Sequence, residues 1–240
     1  MTLIATPTAG TKVLSIREQQ RKRLNWPGGP AQLHMQRLLS NYRLPSHMLD
    51  QLTKRDRQRL ERSPRPDKTH RALAARVELR RMLGAVLDMP GPEIELVNDS
   101  EGRPGLHPRY GVPRDALDFS ISYGAFGFAV CITAGRRVGL DIERFSPKQA
   151  DSFDKLFGSR QARRAQTHFI PQELWTRMEA YGKMQGEGLG YGMQKLFKIA
   201  MDPSAAPIPC HFLDFRMGVG VSASVCLSGP EAGPLSLRHV

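Results

Sequence analysis

The chain has 240 residues, 40% hydrophobic and 24% charged, the balance of a globular protein with one large domain or two small ones sharing a core. Its 35 Lys and Arg against 23 Asp and Glu leave a formal charge of +12, which favours anionic partners: nucleic acid, membrane headgroups, phosphorylated small molecules or acidic proteins. Cys131, Cys210 and Cys226 are an odd number without metal-like spacing, which argues against a disulfide framework. No Sec-type signal is visible and no stretch approaches the ~20 apolar residues of a membrane span, so a cytoplasmic protein is expected.

In chain order, residues 1–30 are a weakly patterned lead-in ending in the breaker cluster "WPGGP". Helical spacing is read over 31–41 (Leu33, Leu38, Leu39) and over 46–60 (Met48, Leu49, Leu52), the latter turning basic in "KRDRQRLER" before "SPRP" stops it. "THRALAARVELRRMLGAVL" predicts a helix with Leu79, Met82, Leu83 and Val86 on one face. From "IELVN" the pattern turns to strands: the turn "DSEGRPGL", then "LDFSIS", "FGFAVCITA" and "VGLDIERF". Helices are expected at 149–166 and 172–184, and strands at 195–200, 210–217 and 219–228. Helices followed by strands, twice, point to an α+β fold with mainly antiparallel sheet. The glycines of "GEGLGYG" do not form G-x-G-x-x-G and no strand leads into them, which rejects a dinucleotide fingerprint.

The chemistry concentrates in "VGLDIE", residues 138–143. With period two, Val138, Leu140 and Ile142 face a core, while Gly139, Asp141 and Glu143 share the other face. Two acids two residues apart repel each other unless something compensates them. A hard cation is one answer, and magnesium, which takes carboxylate oxygens plus substrate phosphates, is the natural candidate. Solvated charges on a half-exposed strand are the other. A third acid is available in "LWTRMEAYGKMQGEGL", where Trp175, Glu179 and Lys183 stack at i, i+4 and i+8 of a helix. Glu179 and Lys183 could equally be an exposed ion pair.

In order along the chain, "GRP" (102–104), "FSISYG" (119–124), "VGLDIE" (138–143) and "WTRMEAYGKMQGEGL" (175–189) resemble the 4'-phosphopantetheinyl transferases of the surfactin-synthetase type. That family's pattern runs G-K/R-P, F-N-x-S-H-S, G-x-D-x-E and W-x-x-K-E-A/S-x-x-K, then G-x-G-L. The match covers roughly residues 50–230. It implies transfer of the phosphopantetheine arm of coenzyme A to a serine of an acidic acyl or peptidyl carrier protein, releasing adenosine 3',5'-bisphosphate. It also implies two similar α+β halves, 1–134 and 135–240, joined in "TAGRR", with the site in the cleft between them, and a monomer without membrane or nucleic-acid partner.

Carried over residue by residue, the resemblance makes Asp141, Glu143 and Glu179 the magnesium ligands. Glu179 is also the base for the carrier serine, and Lys183 the cation that steadies the leaving phosphate. Arg71 matches the arginine for the 3'-phosphate of coenzyme A, with Arg55 and Arg59 as further phosphate candidates. Gly102, Arg103 and Pro104 match the turn that seats the adenine, and Ser122 and Tyr123 fall in the phosphate-contacting segment. This chain departs from the pattern at Tyr123 (histidine in the family), Gly124 (serine) and Met178 (lysine). Two rival readings stand beside the enzyme: a silent paralogue that binds coenzyme A or a carrier protein, and a basic nucleic-acid-binding protein built on "KRDRQRLERSPRP".

Overall fold

The structure, a computed structural model, describes residues 31–38, 41–144, 169–216, 220–229 and 235–239. The lead-in and the helix expected at 149–166 lie outside them. Among the described residues, 31–137 and 235–239 form one compact unit and 138–229 another. Both combine helices with sheet, and every strand pairing is antiparallel except that of the last strand.

The first unit is built on a four-stranded sheet of β1 (Ala31–Arg37), β4 (Leu117–Tyr123), β5 (Gly127–Ala134) and β9 (Leu235–His239), in the order β4-β5-β1-β9. β1 overturns the helix expected at 31–41. It lies between β5, antiparallel, and β9, parallel, and the ladders on both sides decide its conformation. A period-two set, Ala31, Leu33 and Met35, is buried along it and was the signal to read.

The helix expected at 46–60 is two: α1 (Ser46–Leu49) and α2 (Lys54–Glu61). Thr53 restarts the chain as N-cap of α2, its hydroxyl accepting from the Asp56 N–H while the Asp56 carboxylate accepts from the Thr53 N–H. α3 (Pro66–Leu87) runs for 22 residues and buries Leu73, Leu79, Met82 and Leu83 against Leu117, Phe119, Phe128, Val130 and Ile132 of the sheet. It ends at Asp88, whose left-handed backbone (φ 55°) caps it. β2 (Leu96–Asn98) and β3 (Pro104–Leu106) form a separate ribbon.

The second unit is a three-stranded antiparallel sheet, β6 (Val138–Arg144), β8 (Val221–Ser228) and β7 (Cys210–Arg216), in that order. One face carries α4 (Pro171–Gln185), and α5 (Met193–Met201) packs against α4. α5 replaces the strand expected at 195–200. The short apolar run "LFKIA" fits either state, and burial of Leu196, Phe197, Ile199 and Ala200 in one cluster with Leu174, Met178 and Tyr181 selects the helix.

Candidate active site

The acids of β6 lie on the sheet face that α4 covers. Cross-strand register sets out three rows on that face: Gly139–Cys226–Phe212, Asp141–Ser224–Asp214 and Glu143–Ser222–Arg216. Val138, Leu140 and Ile142 turn to the opposite face, as the alternation predicts, and all three are buried.

Gly139 explains how a helix can lie this close. A Cβ there would stand 1.8 Å from the Ala180 carbonyl oxygen and 2.5 Å from the Met184 nitrogen, so only glycine lets the α4 backbone rest on β6. A second such contact holds the helix end, where a Cβ on Gly182 would meet the Gly188 carbonyl oxygen at 2.3 Å.

This close seat brings α4 side chains over the acids. Lys183 Nζ donates to Asp141 Oδ1 at 2.6 Å, with Asp141 2% exposed. Burial would lower the Lys183 pKa, but Asp141, with Glu179 and Glu143 behind it, holds the ammonium above its ordinary value. Burial and then the Asp141 charge push Glu143 up to about 7; Lys183 opposes and Glu179 adds to the rise. Glu179 is raised for the same reasons, burial first, with Lys183 again opposing and Asp141 adding. The three acids and Lys183 therefore act on one another as a single charged cluster, and the bland reading of Glu179 and Lys183 as a separate surface pair does not describe it. Among the described residues, no group of three His, Cys, Asp or Glu side chains stands ready to hold a metal ion. Lys183 is the cation that compensates Asp141 here.

Met178, where the resemblance expects a lysine, is fully buried in the apolar cluster with Leu174, Tyr181 and Met184. A residue one position before Glu179 is turned about 100° around the helix from it, which sends this side chain into the core rather than toward the acids.

In the first unit, the "GRP" turn is tied by Asp99, whose carboxylate accepts from the backbone N–H groups of Glu101 and Arg103. Gly102 supplies the positive φ (80°) that the turn requires, and Pro104 opens β3. The Arg103 guanidinium is directed at the protein itself: Nη2 donates to buried Asp118 Oδ1 (2.8 Å) and to the Phe119 carbonyl (2.9 Å). Ser122 and Tyr123 are neighbours on β4 and so project to opposite faces. Tyr123 packs on the core side with α3, while Ser122 is buried on the other face. Arg71 is half-buried on α3.

Arg76 was missed in the sequence. It is half-buried, its Nη2 donates to Asn98 Oδ1 (3.2 Å), and Asp56, Arg59, Arg80 and Tyr123 all act on its charge; burial is the largest influence and lowers its pKa. The available signal was a lone base inside the apolar run "LAARVEL". Arg76 joins Arg59 and Tyr123 into a basic, partly exposed patch of this unit.

No family model matches the chain. It is 28% identical over 151 residues to a phosphopantetheinyl transferase of Thraustochytrium sp., covering 52% of this chain and 49% of that protein. It is 23% identical over 178 residues to the 4'-phosphopantetheinyl transferase psf-1 of Bacillus pumilus, covering 68% and 72% respectively. Both of these similar proteins carry the name phosphopantetheinyl transferase. The chain spans about half the length of the Thraustochytrium relative. No helix among the described residues is long and apolar enough to cross a membrane.

Proposed function

We propose that the chain is a surfactin-synthetase-type 4'-phosphopantetheinyl transferase. On this reading it moves the phosphopantetheine arm of coenzyme A to a serine of an apo acyl or peptidyl carrier protein and releases adenosine 3',5'-bisphosphate. The observation that carries the reading is the cluster of Asp141, Glu143, Glu179 and Lys183, formed where α4 is seated on β6.

The donors of this cluster suit a hard dication: all are carboxylates, and burial together with their mutual repulsion already raises Glu143 and Glu179. Asp141, Glu143 and Glu179 would hold magnesium, which supplies Lewis-acid polarisation and charge neutralisation at a pyrophosphate.

The chain's own residues do the rest. Glu179 takes the proton of the carrier serine as its oxygen bonds to phosphorus, and its raised pKa brings it closer to the strength such a base needs near neutral pH. Lys183, held protonated, donates to the phosphate oxygen that leaves as the P–O bond of the pyrophosphate breaks. Arg71 and Arg76 offer guanidinium groups to the phosphates of coenzyme A. Arg103 acts through its turn, since its guanidinium is engaged by Asp118. A net charge of +12 attracts a carrier protein with an acidic surface.

The test is product release. With coenzyme A and magnesium, adenosine 3',5'-bisphosphate should appear only when an apo carrier protein is present, and should vanish when the carrier's acceptor serine is replaced by alanine. Release that ignores the carrier would overturn the reading.

A further inference from the structure

A closed polar loop runs beneath α4, next to the proposed catalytic cluster but sharing no residue with it. Thr176 Oγ1 lies 2.8 Å from Ser224 Oγ, Ser224 Oγ lies 2.7 Å from Asp214 Oδ1, and Arg177 returns from Asp214 to α4. Thr176 and Ser224 are both fully buried. The loop thus ties two consecutive residues of one helix to two neighbouring strands.

Donor capacity fixes its direction. An ionised Asp214 only accepts, so the single Ser224 proton goes to Asp214. Ser224 then has only lone pairs left for Thr176, and Thr176 must be the donor in that contact, sharing its proton with the Glu173 carbonyl at 3.1 Å. Arg177 closes the circuit with Nε and Nη2 on Asp214 (3.0 and 2.6 Å) and Nη1 on the Ala200 carbonyl of α5 (2.9 Å). Its guanidinium also lies over Phe169 (4.3 Å) and Phe212 (5.0 Å). Apolar packing fixes how deep a helix lies but tolerates rotation about its axis; directional hydrogen bonds anchored on the buried hydroxyls of Thr176 and Ser224 do not.

The register connects this loop to the acids. Ser224 is the direct cross-strand partner of both Asp141 and Asp214, so the strand residue that receives Thr176 sits beside the residue that receives Lys183. On the helix, Thr176 precedes Glu179 by three positions and Lys183 by seven, one and two turns along the same side. We infer that Thr176, Ser224, Asp214 and Arg177 are positioning residues that set the rotation of α4 over the sheet, and through it the placement of Glu179 and Lys183 against Asp141 and Glu143. This inference rests on the proposed transferase function only for its kinetic consequence, not for its geometry.

Two measurements on the 240-residue protein test it. The first compares kcat and KM for coenzyme A, with a saturating apo carrier, in wild type, Thr176→Val, Thr176→Ser and Ser224→Ala. Thr176→Val keeps the shape and removes the donor. It should lower kcat roughly 10- to 100-fold, the order that a misplacement of about 1 Å costs, while KM changes by less than about threefold. Thr176→Ser restores the hydroxyl and should recover most of kcat. A loss of thermal stability in Thr176→Val with kcat unchanged in the folded protein would mean the loop is structural only, and overturn the inference.

The second measurement is a pair of crystal structures, wild type and Thr176→Val. The variant should open the Lys183–Asp141 contact, 2.6 Å here, beyond hydrogen-bonding distance. An unchanged contact would overturn the inference even if wild type proved to have no transferase activity, in which case the kinetic arm would have failed through the functional reading instead.

Discussion

Lys183 Nζ reaches Asp141 Oδ1 at 2.6 Å, joining α4 to β6 across 42 positions of sequence. Asp141 is almost fully buried while Lys183 keeps 28% of its side chain exposed, so the pair stands between two regimes. Exposed pairs contribute ~1 kcal/mol or less, whereas breaking a fully buried pair costs ~3–5 kcal/mol. Lys183→Met leaves a buried carboxylate behind and should destabilise the protein by an intermediate amount, about 1–3 kcal/mol. Asp141→Asn leaves a cation that can turn to solvent and should cost less. Denaturant titration of the two variants checks the order; equal losses would mean that Lys183 does not compensate Asp141.

Gly139→Ala should be far more damaging than a methyl group suggests. The added Cβ would fall 1.8 Å from the Ala180 carbonyl oxygen, a backbone atom that cannot rotate away. α4 must lift, and overpacking of this kind costs about 1–3 kcal/mol. Activity should fall with it, because Glu179 and Lys183 ride on α4. Thermal unfolding together with the transfer rate checks this; a variant with unchanged stability would contradict the close seat of the helix.

Much of this geometry was legible in the sequence, and the reason is periodicity. The two-residue alternation of 138–143 correctly placed the acids opposite the apolar face, and the i, i+4, i+8 spacing correctly put Glu179 and Lys183 on one side of a helix. Where pattern was short or ambiguous it failed. Residues 31–37 are a strand because β5 and β9 flank them, and residues 193–201 are a helix because their apolar side fits the second core. The Thr176–Ser224–Asp214 loop had no sequence signal at all, since its members meet only through the register of β7 and β8 and the packing of α4 on the sheet. Met178 shows the limit of a motif match: the position aligns with a lysine, yet this chain turns it into the core.

Acid should loosen the first unit through Asp56. Burial alone would raise its pKa, but the Arg80 charge at 2.6 Å and hydrogen bonds from Thr53 outweigh it and hold the carboxyl below the ordinary carboxylate range. With the folded pKa below the unfolded one, the stabilisation is complete above about pH 4 and is lost as pH falls through the lower folded value. Asp56→Asn should flatten that part of the stability–pH curve. Asp56→Ala, which strands Arg80 in a buried site, should cost about 3–5 kcal/mol at neutral pH. Urea midpoints measured from pH 3 to 7 check both.

Coenzyme A binding should separate the two arginines of α3. Arg71→Ala should weaken coenzyme A but leave dephospho-coenzyme A nearly unaffected, because its proposed contact is the 3'-phosphate. Arg76→Gln should weaken both by about tenfold, the effect of one charge-assisted hydrogen bond worth ~1.5 kcal/mol. Titration calorimetry with the two ligands decides it. Equal binding by all variants would remove α3 from the site.

The account as a whole turns on whether the α4–β6 cluster performs the transfer. The most direct measurement is the intact mass of an apo carrier protein after incubation with coenzyme A and wild-type or Glu179→Gln protein, each with magnesium and with excess EDTA. Wild type with magnesium should add the mass of one phosphopantetheine arm to the carrier. Glu179→Gln, folded normally, and wild type in EDTA should add almost none. A carrier of unchanged mass with wild type, or full modification by Glu179→Gln, would contradict the account.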